Sequence, residues 1–411
     1  MRILFLPAYF YPEHAASSYL GNDLRMALCG NGADIVLYAP TPSRNVSSEV
    51  RAEYSNKHRR EILYDGRMIV RRFPLYAEGK NPVFRALRYS LCWLIQFHKA
   101  LWTKDIDCIY LASTPPIQGL IGSWAGRLRG IPFVYNLQDI FPDSLVGTSL
   151  AKKDGLLWRV GRWVENITYK GADKIIVISE DFKRNIMAKG VPEEKIAVVY
   201  NWVDENAVQP VVDEDNELFE EFGISREKFR VVYAGNLGNA QNIEIIVEAA
   251  KRLKANPDIE FVLFGKGGLE DEIKATKEKE QLNNLKILPL QPYERVSKVY
   301  GLGNVCIVAC KPGLGGAAMP SKTWSIMSSG RAVLANFDEG ELKDILEKNN
   351  CGVFTQAGDL DGFVTAIENL AQNPARCQEM GKNGREFILK NLTKEVGTQK
   401  YVNVIKSVVG Q

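Results

Sequence analysis

Residues 304–335 hold the spacing most suited to chemistry: a six-residue apolar run, Val305–Cys310, then a glycine-rich stretch, Pro312–Ala318, then Pro320-Ser-Lys-Thr. The apolar run reads as a buried strand, and a helix is expected to open at Pro320–Ser321 and to stop at Gly330. A further strand is expected at Ala332–Ala335. A strand, a glycine loop with Gly315 and Gly316, and a helix N-terminus with Pro320 and Ser321 together make an anion site. Free N–H groups and the helix dipole converge there. Lys311 and Lys322 flank the loop and point to a phosphate. The plain alternative is a strand-to-helix turn with no ligand.

Other loops carry reactive or permissive residues. Gly235 and Gly238 would let backbone approach a ligand closely, with Asn236 between them. Lys266 stands in a second glycine loop, Gly265-Lys-Gly-Gly. Glu13 and His14 follow the first apolar run, and Asp139 follows another; a carboxylate or imidazole in such a loop suits proton transfer or hydroxyl binding. The alternatives are a structural histidine at 14 and an aspartate at 139 that caps the turn Asp139–Asp143. Asp105-Ile-Asp107 and Asp213-Glu-Asp215 match the Asp-x-Asp pattern of metal sites, but the first opens a strand and the second lies in a linker. No Gly-x-Gly-x-x-Gly follows either opening strand, which argues against a nicotinamide cofactor.

Two strand–helix series must position these residues. The first has strands at 2–7, 34–39, 68–72, 107–112, 132–136, 174–178 and 196–200. The second has them at 230–234, 260–264, 286–289, 304–310, 332–335 and 352–354, with helix-period segments such as Ile243–Leu253 between. Such alternation gives an α/β protein with parallel sheets covered on both faces. The expected domains are 1–205, 206–385 and a C-terminal helix, 386–411, that either crosses back to the first domain or caps the second. Ligands bind such sheets at the carboxyl ends of their strands, so a cleft between the two would hold the site. With 411 residues, 45% hydrophobic and 25% charged, the chain is an ordinary two-domain globular protein. Seven cysteines without a Cys-x-x-Cys pair read as reduced, and no segment reads as a signal peptide or a bilayer span. A cytoplasmic location follows.

Tyr233-Ala-Gly-Asn-Leu-Gly-Asn-Ala-Gln, Lys311-Pro-Gly-Leu, Pro320-Ser-Lys-Thr and Ala357-Gly-Asp resemble the retaining glycosyltransferases of family four, of GT-B fold. Tyr9-Phe-Tyr-Pro-Glu, Ser113-Thr-Pro-Pro and Gln138-Asp-Ile-Phe-Pro-Asp are similar to the bacterial branch that builds O-antigen or exopolysaccharide from aminosugars. The resemblance implies two Rossmann-like domains facing across a cleft. It implies a nucleotide-sugar donor, UDP-linked, on the C-terminal domain and an acceptor, an undecaprenyl-diphosphate-linked saccharide, on the N-terminal one. Transfer would need no metal, because the departing diphosphate takes the acceptor proton. Three departures stand out. Ala317 and Ser325 occupy the positions of two glutamates that usually touch the donor sugar and the ribose, leaving Ser325 a neutral ribose partner. Asn236 and Gln241 replace a usual Arg and Lys, and Ala15-Ala16 replaces the usual glycine pair of the first N-terminal loop; apart from these three, Gln138 replaces the basic residue before Asp139. Lys311, Lys322 and Lys266 are then the cations left for the diphosphate. A UDP-sugar 2-epimerase of the same architecture and a non-catalytic partner subunit remain as other readings.

Charge is uneven. Residues 50–105 hold 12 Lys/Arg against 5 Asp/Glu. Within them Val83–Trp102 reads as a helix with a narrow polar stripe, Arg85, Arg88, Gln96 and Lys99, and a broad apolar remainder. Such a helix either lies in an anionic membrane interface or packs under a sheet. With a lipid-linked acceptor, the first of these gives peripheral contact with the inner face of the cell membrane. Nucleic acid is not expected, since no binding motif accompanies the charge.

Overall fold

The computed structural model describes residues 1–13, 18–79, 81–144, 152–315 and 319–410. Two compact units result: Met1–Tyr200 with Gly397–Gln411, and Asn201–Val396.

The first unit is built on an eight-stranded sheet of order β3-β4-β2-β1-β5-β6-β7-β8. Its strands are β1 (Arg2–Phe5), β2 (Asp34–Pro40), β3 (Arg60–Leu63), β4 (Met68–Phe73), β5 (Cys108–Ala112), β6 (Phe133–Leu137), β7 (Lys174–Val177) and β8 (Ile196–Val198). All pairings are parallel except β3 on β4. Helices α1 (Ser18–Gly30), α2 (Ser48–Asn56), α3 (Pro82–Trp102), α4 (Gln118–Arg129), α5 (Leu156–Gly171) and α6 (Glu180–Ala188) connect them. The central strands are largely apolar and buried, as sheets covered on both faces require. Helix α4 packs between α3 and α5. It meets α5 closely because Gly119 has no side chain: a Cβ there would fall 2.2 Å from Thr168.

The second unit has a six-stranded parallel sheet of order β11-β10-β9-β12-β13-β14. Its strands are β9 (Phe229–Asn236), β10 (Ile259–Lys266), β11 (Leu285–Pro289), β12 (Val305–Ala309), β13 (Ala332–Phe337) and β14 (Gly352–Gln356). The helices are α7 (Leu218–Glu221), α8 (Ile243–Arg252), α9 (Glu270–Glu280), α10 (Val296–Gly301), α11 (Lys322–Ser328), α12 (Glu341–Lys348), α13 (Leu360–Gln372) and α14 (Pro374–Asn391); α15 (Lys394–Val409) belongs to the first unit from Gly397 on. Helix α8 buries Ile243, Ile246, Val247 and Ala250, a 3.6-residue repeat, in a core that also holds Phe261, Leu263 and Phe363.

The expected strands all form, with shifts at their ends. The sequence reading missed β3, whose burial pattern is almost wholly exposed and so lacks the apolar signal. The expected C-terminal segment from 386 is two helices in part. Helix α14 runs on to Asn391 in the second unit, where Phe387 stacks on Trp324. Helix α15 contributes Tyr401 to the first unit, where its hydroxyl donates to Asn136 Oδ1 at 3.0 Å.

Candidate active site

In the second unit the strand order reverses between β9 and β12, and the carboxyl ends flanking that point carry the expected donor residues. Gly235 and Asn236 end β9, and Lys266 ends β10 in register with Asn236. Lys311 lies two residues past β12. Helix α11 opens at Lys322, slightly later than expected, and Gly330 after it adopts φ +67°.

Lys322 reaches across this point. Its amine lies 4.1 Å from the ring centre of Tyr233 on β9. Gly235, at φ +149°, keeps the space beside it open: a Cβ there would come 2.8 Å from Lys322 Nζ. The Tyr233 hydroxyl is fixed by donating to the Asn236 carbonyl at 2.8 Å. Burial of the amine lowers its pKa to about 8, and no carboxylate among the described residues offsets that loss of water. A desolvated cation over an aromatic face with no counter-ion has the electrostatics of an anion receptor.

The other expected donor residues are arranged less simply. Lys311 Nζ pairs with Glu244 Oε1 at 2.9 Å, so its charge is already partly matched. Gly315 gives its N–H to Asp338 Oδ2 at 2.7 Å, so that N–H is not free for a phosphate. Gly316, with Ala317, lies outside the described residues. The Pro320 carbonyl accepts the Thr323 N–H at 3.0 Å, and Ser321 is exposed at the helix start. Ser325 is half-buried one turn into α11. Lys266 is exposed, its backbone carbonyl accepting the Leu237 N–H at 3.1 Å. Asn236 Nδ2 donates to Gln241 Oε1 at 3.2 Å, which joins the two residues that replace the usual Arg and Lys.

In the first unit, Glu13 is buried and both its oxygens are occupied by backbone. Oε1 accepts the N–H groups of Ser43 and Arg44, each at 2.8 Å, and Oε2 accepts that of Phe10 at 3.2 Å. It ties the loop after β1 to the loop after β2, which is positioning work. His14 lies outside the described residues. Asp139 stands two residues past β6 with its side chain open to solvent on one side. Burial of its carboxyl raises its pKa, and the Ser144 hydroxyl, donating to Oδ2 at 3.2 Å, opposes that rise. Gln138 donates Nε2 to Asn136 Oδ1 at 2.9 Å and to the Tyr401 hydroxyl at 3.2 Å.

Two glycosyltransferase family models divide the chain. Residues 21–202 match the glycosyl transferase 4-like domain, and residues 214–387 match glycosyl transferases group 1. The chain is a GT-B glycosyltransferase. An Escherichia coli K12 protein named as a colanic acid biosynthesis glycosyl transferase, WcaI, is 27% identical over 99% of this chain and 100% of its own. Among solved structures, sucrose-phosphate synthase from Thermosynechococcus elongatus superposes with a TM-score of 0.74 at 16% identity, over 100% of this chain and 99% of that one. Anabaena HepE, solved in complex with UDP, gives 0.72 at 16% identity, over 99% and 100%. These two likenesses show the fold.

In this glycosyltransferase several polar residues escaped the sequence reading. Tyr233 was seen only as part of a motif, because a strand residue gives no sign of which neighbour its ring will face. Glu244 and Asp338, which meet Lys311 and Gly315, carry no distinguishing spacing. Past β1, the Tyr9 hydroxyl lies 2.6 Å from that of Tyr89 and donates to Glu78 Oε2 at 3.0 Å, while Arg85 pairs with Glu78 at 3.1 Å. Aromatic rings beside a carboxylate suit sugar hydroxyls; Tyr9 alone had a sequence signal, through Tyr9-Phe-Tyr-Pro-Glu. A groove of about 590 Å³ along edge strand β14, near Thr355 and Arg376, contains none of the expected donor residues. Both Asp-x-Asp pairs hold structural ion pairs or backbone: Asp107 accepts the Arg2 N–H at 2.7 Å, and Asp213 meets Arg230 at 2.8 Å.

Two cations of the basic stretch 50–105 are turned inward, while Arg59, Arg60, Arg67 and Arg71 stay exposed. Arg72 is buried on Glu61, and its Nη2 donates to the Tyr11 carbonyl at 2.7 Å. Arg88 is 1% exposed, donating to the Tyr76 carbonyl and to Ser43 Oγ at 3.0 and 2.8 Å. The cations at those positions therefore hold loops together, and a headgroup cannot reach them.

Proposed function

We propose that this glycosyltransferase moves a hexose or an N-acetylated aminosugar from a UDP-sugar to a lipid-linked saccharide during surface polysaccharide assembly, with retention at the anomeric carbon. The observation that carries the reading is Lys322. Its buried, unmatched amine sits at the β9–β12 switch point of the unit that matches glycosyl transferases group 1. Support for UDP comes from HepE, solved with UDP and with UDP-glucose. Support for polysaccharide assembly comes from the likeness to WcaI along the whole chain.

In this scheme the bond from the anomeric carbon to the UDP β-phosphate oxygen breaks while a bond to the acceptor hydroxyl oxygen forms on the same face. The acceptor proton passes to the departing diphosphate. Negative charge grows on that diphosphate, and Lys322 is placed to meet it. Matching of this charge by protein cations is the basis for a metal-independent reaction. Asp139 is the carboxylate we assign to a sugar hydroxyl. Glu13 acts by tying the backbone after β1 to the loop after β2. The absence of carboxylates at Ala317 and Ser325 gives a weaker grip on donor sugar and ribose, and favours as second reading a subunit that binds nucleotide without turnover.

Titration calorimetry with UDP and GDP tests the site: UDP should bind, and Lys322→Ala should lose the heat. No nucleotide binding by the intact protein would end the enzymatic reading. UDP binding without sugar transfer to any lipid-linked acceptor would select the non-catalytic one. Anomeric configuration of the product by NMR tests retention.

A further inference from the structure

Asp139 meets solvent on one side and a closed space on the other. Strand β6 sends alternate side chains to opposite faces. Asn136 and Gln138 go to the face that Tyr401 bonds. Tyr135, Leu137 and Asp139 go to the other, where they line a cavity of about 10 Å³ with Glu165, Thr168 and Tyr169 of α5. That volume suits one water molecule, and two carboxyls and two phenols in the lining give it polar partners.

The turn that carries Asp139 is seated on α5 and α6. Gly161, one helical turn before Glu165, permits the approach: a Cβ there would lie 2.8 Å from both Phe141 and Pro142. Lys189, just past α6, bridges the two sides. Its Nζ lies 2.8 Å from Asp143 Oδ2 and 2.8 Å from Glu165 Oε1. Asn185 Nδ2 donates to the same Asp143 oxygen at 3.3 Å. Glu165 is buried, and Arg162 and the Tyr169 hydroxyl, 2.7 Å from Oε1, complete its surroundings. Two acids, Asp143 and Glu165, and two cations, Lys189 and Arg162, therefore balance beside Asp139. A buried ion relay adds little stability over apolar packing of similar volume; its larger effect falls on the charge of a neighbouring carboxyl. Burial, and then the charges of Glu165 and Asp139, push the Tyr135 hydroxyl well above its ordinary pKa, so it remains a proton donor between two carboxyls.

We propose that Tyr135, Glu165 and Lys189 are positioning residues for Asp139: the Asp143–Lys189–Glu165 relay fixes its turn and sets the charge around it, and the cavity holds one water that joins its carboxylate to the Tyr135 hydroxyl. Lys189 favours the ionised form of Asp139 and Glu165 opposes it. The tyrosine proton, acting through the water, favours the ionised form, as does the Ser144 hydroxyl on Oδ2. Asp139 then faces its ligand as a hydrogen-bond acceptor held at one place. Its use in transfer rests on the assignment of Asp139 to a sugar hydroxyl; the relay stands on the geometry alone.

Carboxyl carbon-13 NMR of the full chain, labelled at aspartate Cγ and assigned with Asp139→Asn, reads the titration of Asp139 without any substrate. Lys189→Met removes a cation and should move the midpoint up by about 0.5–1 pH unit; Glu165→Gln removes an acid and should move it down by about as much. Lys189→Arg should restore the wild-type midpoint. Tyr135→Phe should raise it, because the ionised carboxylate loses a donor. Loosened packing alone would move Lys189→Met and Glu165→Gln in the same direction. Same-signed or absent shifts in these two variants, with the fold verified by circular dichroism, would overturn the proposal. Should either fail to fold, Tyr135→Phe decides, and an unmoved midpoint there overturns it. Loss of the transferase reading on calorimetry or product analysis would leave these titrations as they are, so the two failures are distinguishable.

Discussion

The amine of Lys322 lies over the ring of Tyr233, 4.1 Å from its centre, with the backbone of Gly235 alongside. Strand β9 supplies the ring and the open side, and the helix after β12 supplies the charge. Burial holds the amine near pKa 8, below the usual lysine range. UDP affinity should therefore be steady up to about pH 8 and fall above it, by up to tenfold per pH unit, as the amine loses its proton. Lys322→Ala should abolish this dependence along with most of the affinity. Calorimetry between pH 6.5 and 9.5 measures both.

The same burial costs stability. An unfolded lysine keeps its proton to about pH 10.4, whereas folded Lys322 gives it up near 8. Between those values the unfolded chain binds more protons, so ligand-free stability rises with pH across that window. Below pH 8 the full penalty remains. Lys322→Met should therefore stabilise the ligand-free protein at pH 7, by about 1–3 kcal/mol after allowing for partial solvation, and remove UDP binding. Denaturant unfolding with and without UDP checks this; a less stable Lys322→Met would mean that the amine has an unrecognised partner.

Gly235→Ala is the companion change. The new methyl group would press on Lys322 Nζ at 2.8 Å, and φ +149° is unfavourable for any side chain. The lysine must move off the Tyr233 ring. UDP affinity should drop about 10- to 100-fold, with a stability loss of about 1–2 kcal/mol from the backbone conformation. Gly268→Ala, which meets nothing within 4 Å, is the control and should bind as wild type.

The sequence showed where this site lies more clearly than how it is built. Lys322, Gly235 and the β12 loop were legible because strand, glycine and helix-start signals are local. That Lys311 is matched by Glu244, or that Asp338 takes the Gly315 N–H, depends on side chains brought together by sheet order, and no spacing encodes that. Glu13 misled for a similar reason. An acid in a loop past β1 looks chemical until its oxygens are found on three backbone N–H groups of two loops. The amphipathic pattern of α3 was legible, but periodicity does not say which face turns inward, and Arg88 and Gln96 decide it.

Glu13→Gln should therefore act on structure more than on turnover. The amide keeps one oxygen for two of the N–H groups, but its NH2 would face the third. A loss of about 1–3 kcal/mol is expected, with kcat changed less than tenfold in protein that remains folded. Urea melts and steady-state rates separate the two effects. A folded variant with kcat reduced a thousandfold would return Glu13 to a direct chemical role.

Asp139 makes the opposite prediction. Burial raises its pKa and the Ser144 hydroxyl holds it down, so the carboxylate is protonated at a higher pH than an ordinary aspartate. If it grips a sugar hydroxyl as an ion, kcat/KM falls on the acid side with that raised pKa. Ser144→Ala removes the opposing hydrogen bond and should shift the acid limb further toward neutral pH while leaving the alkaline side unchanged. Asp139→Asn should flatten the acid limb and lower kcat/KM at every pH. Should the limb persist unmoved in Asp139→Asn, another group is titrating, and Asp139 is then the turn cap that the Asp139–Asp143 sequence also allowed.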